Sequence, residues 1–214
     1  MGVIFDNLDA WAEGLRTTVS LTLWSWALAF ALGVLVAVCR IGPVLPLRAA
    51  GTTYVELVRN CPLTVLFVLF FFGLPEAGII YPRFASAVIV LGIYTSAFVA
   101  EVVRAGVNTV ATGQAEAARS IGLTFGQVLR HVVLPQALRA VISPMGGLFV
   151  ALIRNSSIAY TISVVELSGT FQRIGIRNAE LFPALIAVAT IYLALTLPSG
   201  WVINRLERRY AVQR

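Results

Sequence analysis

The sequence has no lysine, one histidine, two cysteines and few charged residues, which make up 12% of its 214 positions. Soluble domains carry about twice that share of charge, so this chain has too little polar surface for a water-facing globule. One histidine, His131, cannot form a metal site alone, and Cys39 and Cys61 form no C-x-x-C motif. The sequence also lacks a Gly-x-x-x-x-Gly-Lys-Ser/Thr loop, so we expect no ATP site, metal site or enzyme activity in this chain.

Apolar residues are abundant instead. They make up 58% of the sequence, its mean hydropathy is +0.86, and they fall in long blocks. About 20 helical residues are needed to cross a bilayer core of about 30 Å. We therefore predict an all-α integral membrane protein, one domain over residues 1–214, with five transmembrane helices. The predicted spans are residues 18–39, 63–80, 84–100, 137–153 and 181–203.

The basic residues predict how the chain is oriented. All sixteen are arginine; with the N-terminus outside, eleven fall on inner segments and five on outer ones. Basic loops stay in the cytoplasm, so we predict the N-terminus outside and the C-terminus inside. The pI is near 10.0, but the arginines flank apolar blocks, so no nucleic-acid partner is expected. Residues 1–16 are acidic overall, and we expect no cleavable signal peptide.

Two connections between the predicted spans are too long to be simple turns. In the inner one, small residues and good helix formers around Glu116 predict a short helix, which Gly122 ends in a left-handed turn. Thr124 and Gln127 fit a capping box that starts a second helix. We thus predict two short cytoplasmic helices over about 112–135. In the outer connection, residues 157–167 are apolar enough for a short half-inserted helix.

The inner loop resembles a known motif. Glu116-Ala117-Ala118, Gly122 and Leu134-Pro135 are similar to the EAA loop of the permease subunits of ATP-binding-cassette (ABC) importers. Blocks in the same order resemble the polar amino-acid permeases of the histidine, glutamine and glutamate type; they are residues 59–63, 101–106, 113–114, 135–139 and 154–157. The chain departs from that subfamily where Cys61 replaces a usual Thr or Ser, and where Asn155-Ser156 replaces a more frequent Asp-Thr pair.

The resemblance implies a multi-pass protein of the bacterial cytoplasmic membrane, surrounded by lipid and assembled with separate proteins. These would be two ABC ATPase subunits, a second identical or homologous permease and an extracytoplasmic solute-binding protein. ATP and Mg²⁺ would bind the ATPases, so no cofactor is expected in this chain. The residues implied to couple this chain to the ATPases are Glu116, Ala117, Ala118, Arg119, Gly122, Leu134 and Pro135.

Other polar and helix-breaking residues are candidates for the substrate pathway. Each also has a purely structural interpretation: Pro144 as a packing kink, Arg154 as a cation at a helix C-terminus, and Glu166 as a brace for the gate. Glu101 and Arg104 could support the coupling loop or simply pair at the membrane surface. The predicted pathway residues are Asn60, Pro62, Pro144, Arg154, Asn155, Ser156, Ser157 and Glu166.

The function that follows from this resemblance is ATP-driven import of a polar amino acid, with glutamate or glutamine as the expected substrate. The permease would move it inward by alternating access. Two alternatives remain at this point: an ion-coupled secondary amino-acid transporter and a membrane scaffold that transports nothing. A secondary transporter usually needs ionisable residues at mid-membrane, and residues 18–39 and 181–203 have none.

Overall fold

A computed structural model describes residues 5–210, and the regular structure of these residues is entirely helical. The first and last four residues of the predicted domain lie outside the described part. The helices are α1 Leu8–Ile41, α2 Leu45–Asn60, α3 Leu63–Val68, α4 Arg83–Asn108, α5 Thr112–Ser120, α6 Phe125–Val128, α7 Leu134–Asn155, α8 Leu167–Arg177 and α9 Leu181–Tyr210. A π-helical turn, Leu69–Gly73, and the short helix Leu74–Glu76 extend α3. A second π-helical turn, Leu129–Val133, joins α6 to α7, and a 3₁₀ helix, Ser156–Ile162, continues α7.

Four helical segments are long and apolar enough to cross a bilayer: Leu8–Ile41, Arg83–Asn108, Phe125–Ile162 and Leu181–Arg209. A fifth candidate is the pair formed by α2 and Leu63–Glu76, which is bent by 103°. The prediction of an all-helical membrane protein is confirmed, with four spans, or five when the bent pair counts as one. The predicted second span, residues 63–80, is shorter in the structure because its helix ends at Glu76.

Close glycine contacts show in which direction neighbouring helices run. A Cβ atom on Gly33 of α1 would lie 2.6 Å from Val99 Cβ, and one on Gly92 of α4 would meet the side chain of Leu28. Residue numbers therefore rise together along α1 and α4, and the two helices are parallel. Parallel neighbours that both cross a bilayer require one return crossing between them. The bent pair of α2 and α3 is the segment that lies between them, which favours counting it as a single span.

Two buried clusters hold the helices together. In the first, Leu21, Phe67, Leu91, Leu152 and Ile162 join α1, α3, α4, α7 and the 3₁₀ helix. In the second, the start of α1 packs with α8 and α9; its buried members are Trp11, Leu167, Ile174, Ala184, Ala187 and Val188. Dense packing stabilises these contacts in a bilayer, where lipid tails are as apolar as the side chains themselves. The second cluster fixes α8 against α9.

Two segments differ from the sequence-based expectation. The amphipathic helix α2 lies between the first two predicted spans, where no helix was predicted, and it carries Arg48, Glu56 and Arg59. The half-inserted helix predicted over residues 157–167 is instead a 3₁₀ helix that ends at Ile162. Ser163 follows in a left-handed conformation, with φ of 61°, and turns the chain towards α8.

Candidate transport site

The inner loop consists of two short helices joined by a tight turn, as predicted. Gly122 has a φ of 90°, in the left-handed region that favours glycine. Its N–H donates to the carbonyl of Arg119 at 2.9 Å, and the N–H of Leu123 donates to the carbonyl of Ala118 at 3.2 Å. These two bonds form a Schellman motif. The predicted capping box at α6 is also present, with the N–H of Thr124 donating to Gln127 Oε1 at 2.8 Å.

One side of the loop packs against the protein and the other side is exposed. Ala118 on α5 and Val128 on α6 are buried. Ala118 is one of the seven predicted coupling residues, and its burial leaves it unable to contact an ATPase directly. The other six are exposed: Glu116, Ala117, Arg119, Gly122, Leu134 and Pro135. Ile121 and Phe125 are also exposed, by 81% and 69%, although the sequence analysis did not single them out. The exposed face therefore combines charged and large apolar side chains around the α5–α6 turn.

The loop is attached to the helices on both sides of it. Gln136 Nε2 donates to Gln114 Oε1 at 2.7 Å, which joins the start of α7 to α5. A Cβ atom on Gly106 would clash with Val141 Cγ1, so the end of α4 lies directly against α7. These contacts hold α5 against the start of α7, and α7 against the end of α4.

A group of ionic side chains joins α1, α2 and α4 close to the end of α4 that leads into the loop. Glu101 Oε2 accepts a hydrogen bond from Arg40 Nη1 at 2.7 Å and lies 3.5 Å from Arg59 Nη1. Glu101 Oε1 accepts a hydrogen bond from Arg104 Nη2. The expected pairing of Glu101 with Arg104 is thus present, and two arginines from other helices share the same carboxylate. We call these four residues the arginine cluster.

A cavity of about 450 Å³ lies between the 3₁₀ helix, α8 and α9. Arg154 and Ser157 are the predicted pathway residues that line it. The remaining lining residues combine hydroxyl, amide and apolar groups: Tyr160, Ser168, Phe171, Gln172, Leu185, Val188, Ala189 and Tyr192.

Glu166 lies behind the wall of this cavity and is fully buried. Its Oε1 accepts from the N–H of Gly169 at 2.9 Å, and its Oε2 accepts from the N–H of Ser168 at 2.9 Å. The Oε2 atom also accepts from the Tyr192 hydroxyl at 2.8 Å. The carboxylate thereby caps the N-terminus of α8 and ties α8 to α9, as a brace would.

Comparison with known proteins then shows the family. The family model described as "Binding-protein-dependent transport system inner membrane component" matches residues 29–212. The chain belongs to this family. It is therefore a membrane subunit of a transporter, a permease, and the predictions of a multi-pass membrane protein and of a transport subunit without enzyme activity are confirmed.

Individual relatives resemble this permease along nearly its whole length. The probable glutamine ABC transporter permease protein GlnM of Bacillus subtilis (strain 168) is 41% identical, over 98% of this chain and 97% of its own. The glutamate transport system permease protein GluC of Corynebacterium glutamicum is 38% identical, over 92% of each chain. A solved structure described as "Crystal structure of an amino acid ABC transporter with histidines" is 30% identical, with a TM-score of 0.92 and coverage of 96% of each chain.

The resemblance to amino-acid ABC permeases is thus confirmed. The two alternatives, an ion-coupled secondary transporter and a scaffold without transport activity, do not agree with the family.

The remaining predicted pathway residues of the permease do not line the cavity. Asn60 Nδ2 donates to the Glu56 carbonyl at 2.7 Å at the end of α2, and Pro62 lies at the bend into α3. Pro144 lies within α7. Ser156 is buried and donates to the Ile153 carbonyl at 2.7 Å, in the turn that also contains Asn155.

Sequence reasoning missed four polar residues of the cavity, which are Tyr160, Ser168, Gln172 and Tyr192. Tyr192 was visible as a polar aromatic residue within a predicted span, but Ser168 and Gln172 gave no sequence signal, because their relevance depends on how α8 folds back.

Proposed function

We propose that this permease moves a polar amino acid, glutamine or glutamate, into the cytoplasm by alternating access. The permeases named above for glutamine and glutamate support this substrate class. The observation that carries the proposal for this chain is the cavity that Arg154 and several hydroxyl groups line. It lies where α7 gives way to a 3₁₀ helix, and interrupted helices are where transporters expose polar groups to a substrate.

The cavity has the chemistry that a zwitterionic amino acid requires. The Arg154 guanidinium can bind a carboxylate through paired N–H donors. Hydroxyl oxygens of Ser157, Ser168 and Tyr192 can accept hydrogen bonds from an ammonium or a side-chain amide. Phe171 and the apolar residues of α9 would contact the methylene groups. Glu166 acts indirectly in this proposal, because its hydrogen bond holds the Tyr192 hydroxyl at the cavity wall.

The coupling part of the proposal concerns the exposed face of the inner loop. Glu116, Ala117, Arg119, Ile121 and Phe125 offer charged and apolar contacts to a groove on one ATPase subunit, and the proposed assembly contains two ATPase subunits. These ATPases bind ATP and Mg²⁺. A second permease and an extracytoplasmic solute-binding protein complete the proposed assembly. Packed interfaces tend to be bistable, so a small movement of this loop can switch the bundle between two states.

The proposed orientation has the N-terminus outside and the C-terminus inside. Placing the loop on the cytoplasmic side puts eleven of the sixteen arginines at inner positions, as the positive-inside rule requires. The inner loop then faces the compartment that holds ATP.

The coupling proposal is tested by uptake of radiolabelled glutamine and glutamate into proteoliposomes that contain the permease, its ATPase and its binding protein. We expect uptake to require ATP and Glu116→Lys to abolish it, because the exposed carboxylate becomes a cation on the docking face. Gly113→Ala is the control, because Gly113 is also exposed on α5 and a Cβ atom there has no neighbour within 4 Å. ATP-independent uptake, or normal uptake by Glu116→Lys, would contradict the proposal.

The substrate site is tested with Arg154→Gln. A hydrogen bond to a charged group is worth about 1.5 kcal/mol or more, so we expect the rate of glutamate uptake to fall about tenfold or more. The control is Arg177→Gln, because Arg177 lies on the same outer connection but does not line this cavity. An equal loss in both variants would indicate a general effect of charge and would refute a direct role for Arg154.

A further inference from the structure

The arginine cluster has more positive charge than the protein neutralises. Arg40, Arg59 and Arg104 share the single carboxylate of Glu101. Within residues 5–210, these three arginines make no other ion pair. The cluster therefore has a net charge of about +2, held within a few ångströms at one end of α4. Like charges this close repel strongly where water is scarce, unless an anion joins them.

The excess charge is on the accessible arginines. Arg40 is 8% exposed and makes a short bond to Glu101 Oε2, while Arg104 makes another to Oε1. Arg59 and Arg104 are 41% and 37% exposed. The Arg59–Glu101 distance of 3.5 Å is longer than an ordinary N–H···O hydrogen bond. Within residues 5–210, Arg59 makes no hydrogen bond to a protein acceptor, and Arg104 donates only to Glu101 Oε1.

An aromatic ring adjoins one of these exposed guanidinium groups. Arg59 lies over the ring of Phe98, with Cζ 5.3 Å from the ring centre. A pair of cations beside an aromatic side chain of a membrane-spanning helix fits a lipid headgroup better than a free inorganic ion. Basic pockets between transmembrane helices on the cytoplasmic side are known to bind anionic headgroups.

We propose that the arginine cluster binds an anionic phospholipid of the inner leaflet. The phosphate lies against Arg59 and Arg104, and the acyl chains start beside Phe98. The bound lipid joins α2 to α4 near the coupling loop. The choice of leaflet rests on the proposed orientation, whereas the binding site itself does not.

The test is native mass spectrometry of the assembled, delipidated transporter during titration with phosphatidylglycerol, phosphatidylcholine or inorganic phosphate. A basic residue near the membrane surface contributes about 1 kcal/mol to the binding of an anionic lipid. We expect Arg59→Gln to weaken phosphatidylglycerol binding about fivefold. Arg48→Gln is the control, because Arg48 is exposed on the same helix but lies outside the cluster, and it should change binding less than twofold. Phosphatidylcholine should bind equally to all variants.

Glu101→Gln provides a second test in the opposite direction. Removing the carboxylate raises the charge of the cluster, so phosphatidylglycerol should bind more tightly, whereas mere structural damage would weaken it. The proposal is overturned if phosphatidylglycerol and phosphatidylcholine bind equally to the wild type, or if Arg48→Gln has the same effect as Arg59→Gln. Inorganic phosphate that displaces the lipid at equal concentration would also overturn it and would identify a simple phosphate site. None of these outcomes depends on transport, so failure here is distinguishable from failure of the proposed function.

Discussion

Replacing Glu166 with glutamine tests whether its carboxylate is needed to hold α8 against α9. In the wild type, Oε2 accepts from both the Ser168 N–H and the Tyr192 hydroxyl, and Oε1 accepts from the Gly169 N–H. Glutamine has only one oxygen. Whichever way its amide is turned, an NH₂ group faces at least one donor in a fully buried position.

The cost follows from counting these hydrogen bonds. If the glutamine oxygen takes the place of Oε2, the bonds to Ser168 and Tyr192 remain and the N-terminal cap at Gly169 is lost. Losing one hydrogen bond to a charged group costs about 1.5–3 kcal/mol, and losing a cap costs about 0.5–2 kcal/mol. Both figures describe the same bond, so we expect Glu166→Gln to destabilise the permease by about 2 kcal/mol. Tyr192→Phe leaves the cap intact but also removes one hydrogen bond to the carboxylate, so it should cost about 1.5 kcal/mol.

Thermal unfolding of the purified complex measures both variants. For a domain of this size, 1 kcal/mol shifts the melting temperature by about 2–4 °C, so Glu166→Gln should lower it by about 4–8 °C. The double variant should lose less than the sum of the two, because the Tyr192 hydroxyl bonds a neutral glutamine oxygen more weakly than a carboxylate, so less is lost when that bond is removed. Melting of Glu166→Gln at the wild-type temperature, or strict additivity in the double variant, would refute this account of the carboxylate.

Two further predictions concern glycines. Gly122→Ala should destabilise the α5–α6 turn by about 1 kcal/mol, because alanine disfavours a positive φ. Backbone hydrogen exchange in this turn should become faster in Gly122→Ala but not in the control Gly113→Ala, whose added Cβ atom meets nothing within 4 Å. Equal exchange in both variants would contradict this prediction. Gly33→Ala should destabilise the fold by about 1–3 kcal/mol, because its Cβ atom would lie 2.7 Å from the backbone oxygen of Ser96. In Gly92→Ala the added Cβ atom would meet the side chain of Leu28 rather than backbone, so the melting temperature should fall less. The reverse order of melting temperatures would refute the packing argument.

The sequence predicted those parts of the fold that depend on local patterns. The long apolar blocks gave the helices that contain α1, α4, α7 and α9, and Gly122 with Thr124 and Gln127 gave the shape of the inner loop. Helix α2 escaped prediction because its mixture of arginines and leucines resembles a loop between spans. Its stability comes from packing against α1 and α4, where a Cβ atom on Gly51 would lie 2.8 Å from the Arg40 side chain.

The candidate site was only half predictable, for a similar reason. Arg154 and Ser157 follow directly from a motif at the end of α7, and both line the cavity. Their partners Gln172 and Tyr192 come from α8 and α9, and they reach the cavity only because Ser163 turns the chain back. Contacts of this kind depend on tertiary packing, which a single sequence does not encode in any local pattern.

The shortness of Leu63–Glu76 has a consequence for how the protein is made. These 14 residues extend about 21 Å, against a hydrocarbon core of about 30 Å. Such a segment is a poor signal for insertion by itself, and α2 contributes charged residues rather than additional apolar length. We therefore expect the bent pair to leave the translocation channel only after α4 has emerged and can pack beside α1. Biogenesis of this membrane protein is thus expected to proceed by release of the first three spans together rather than one helix at a time.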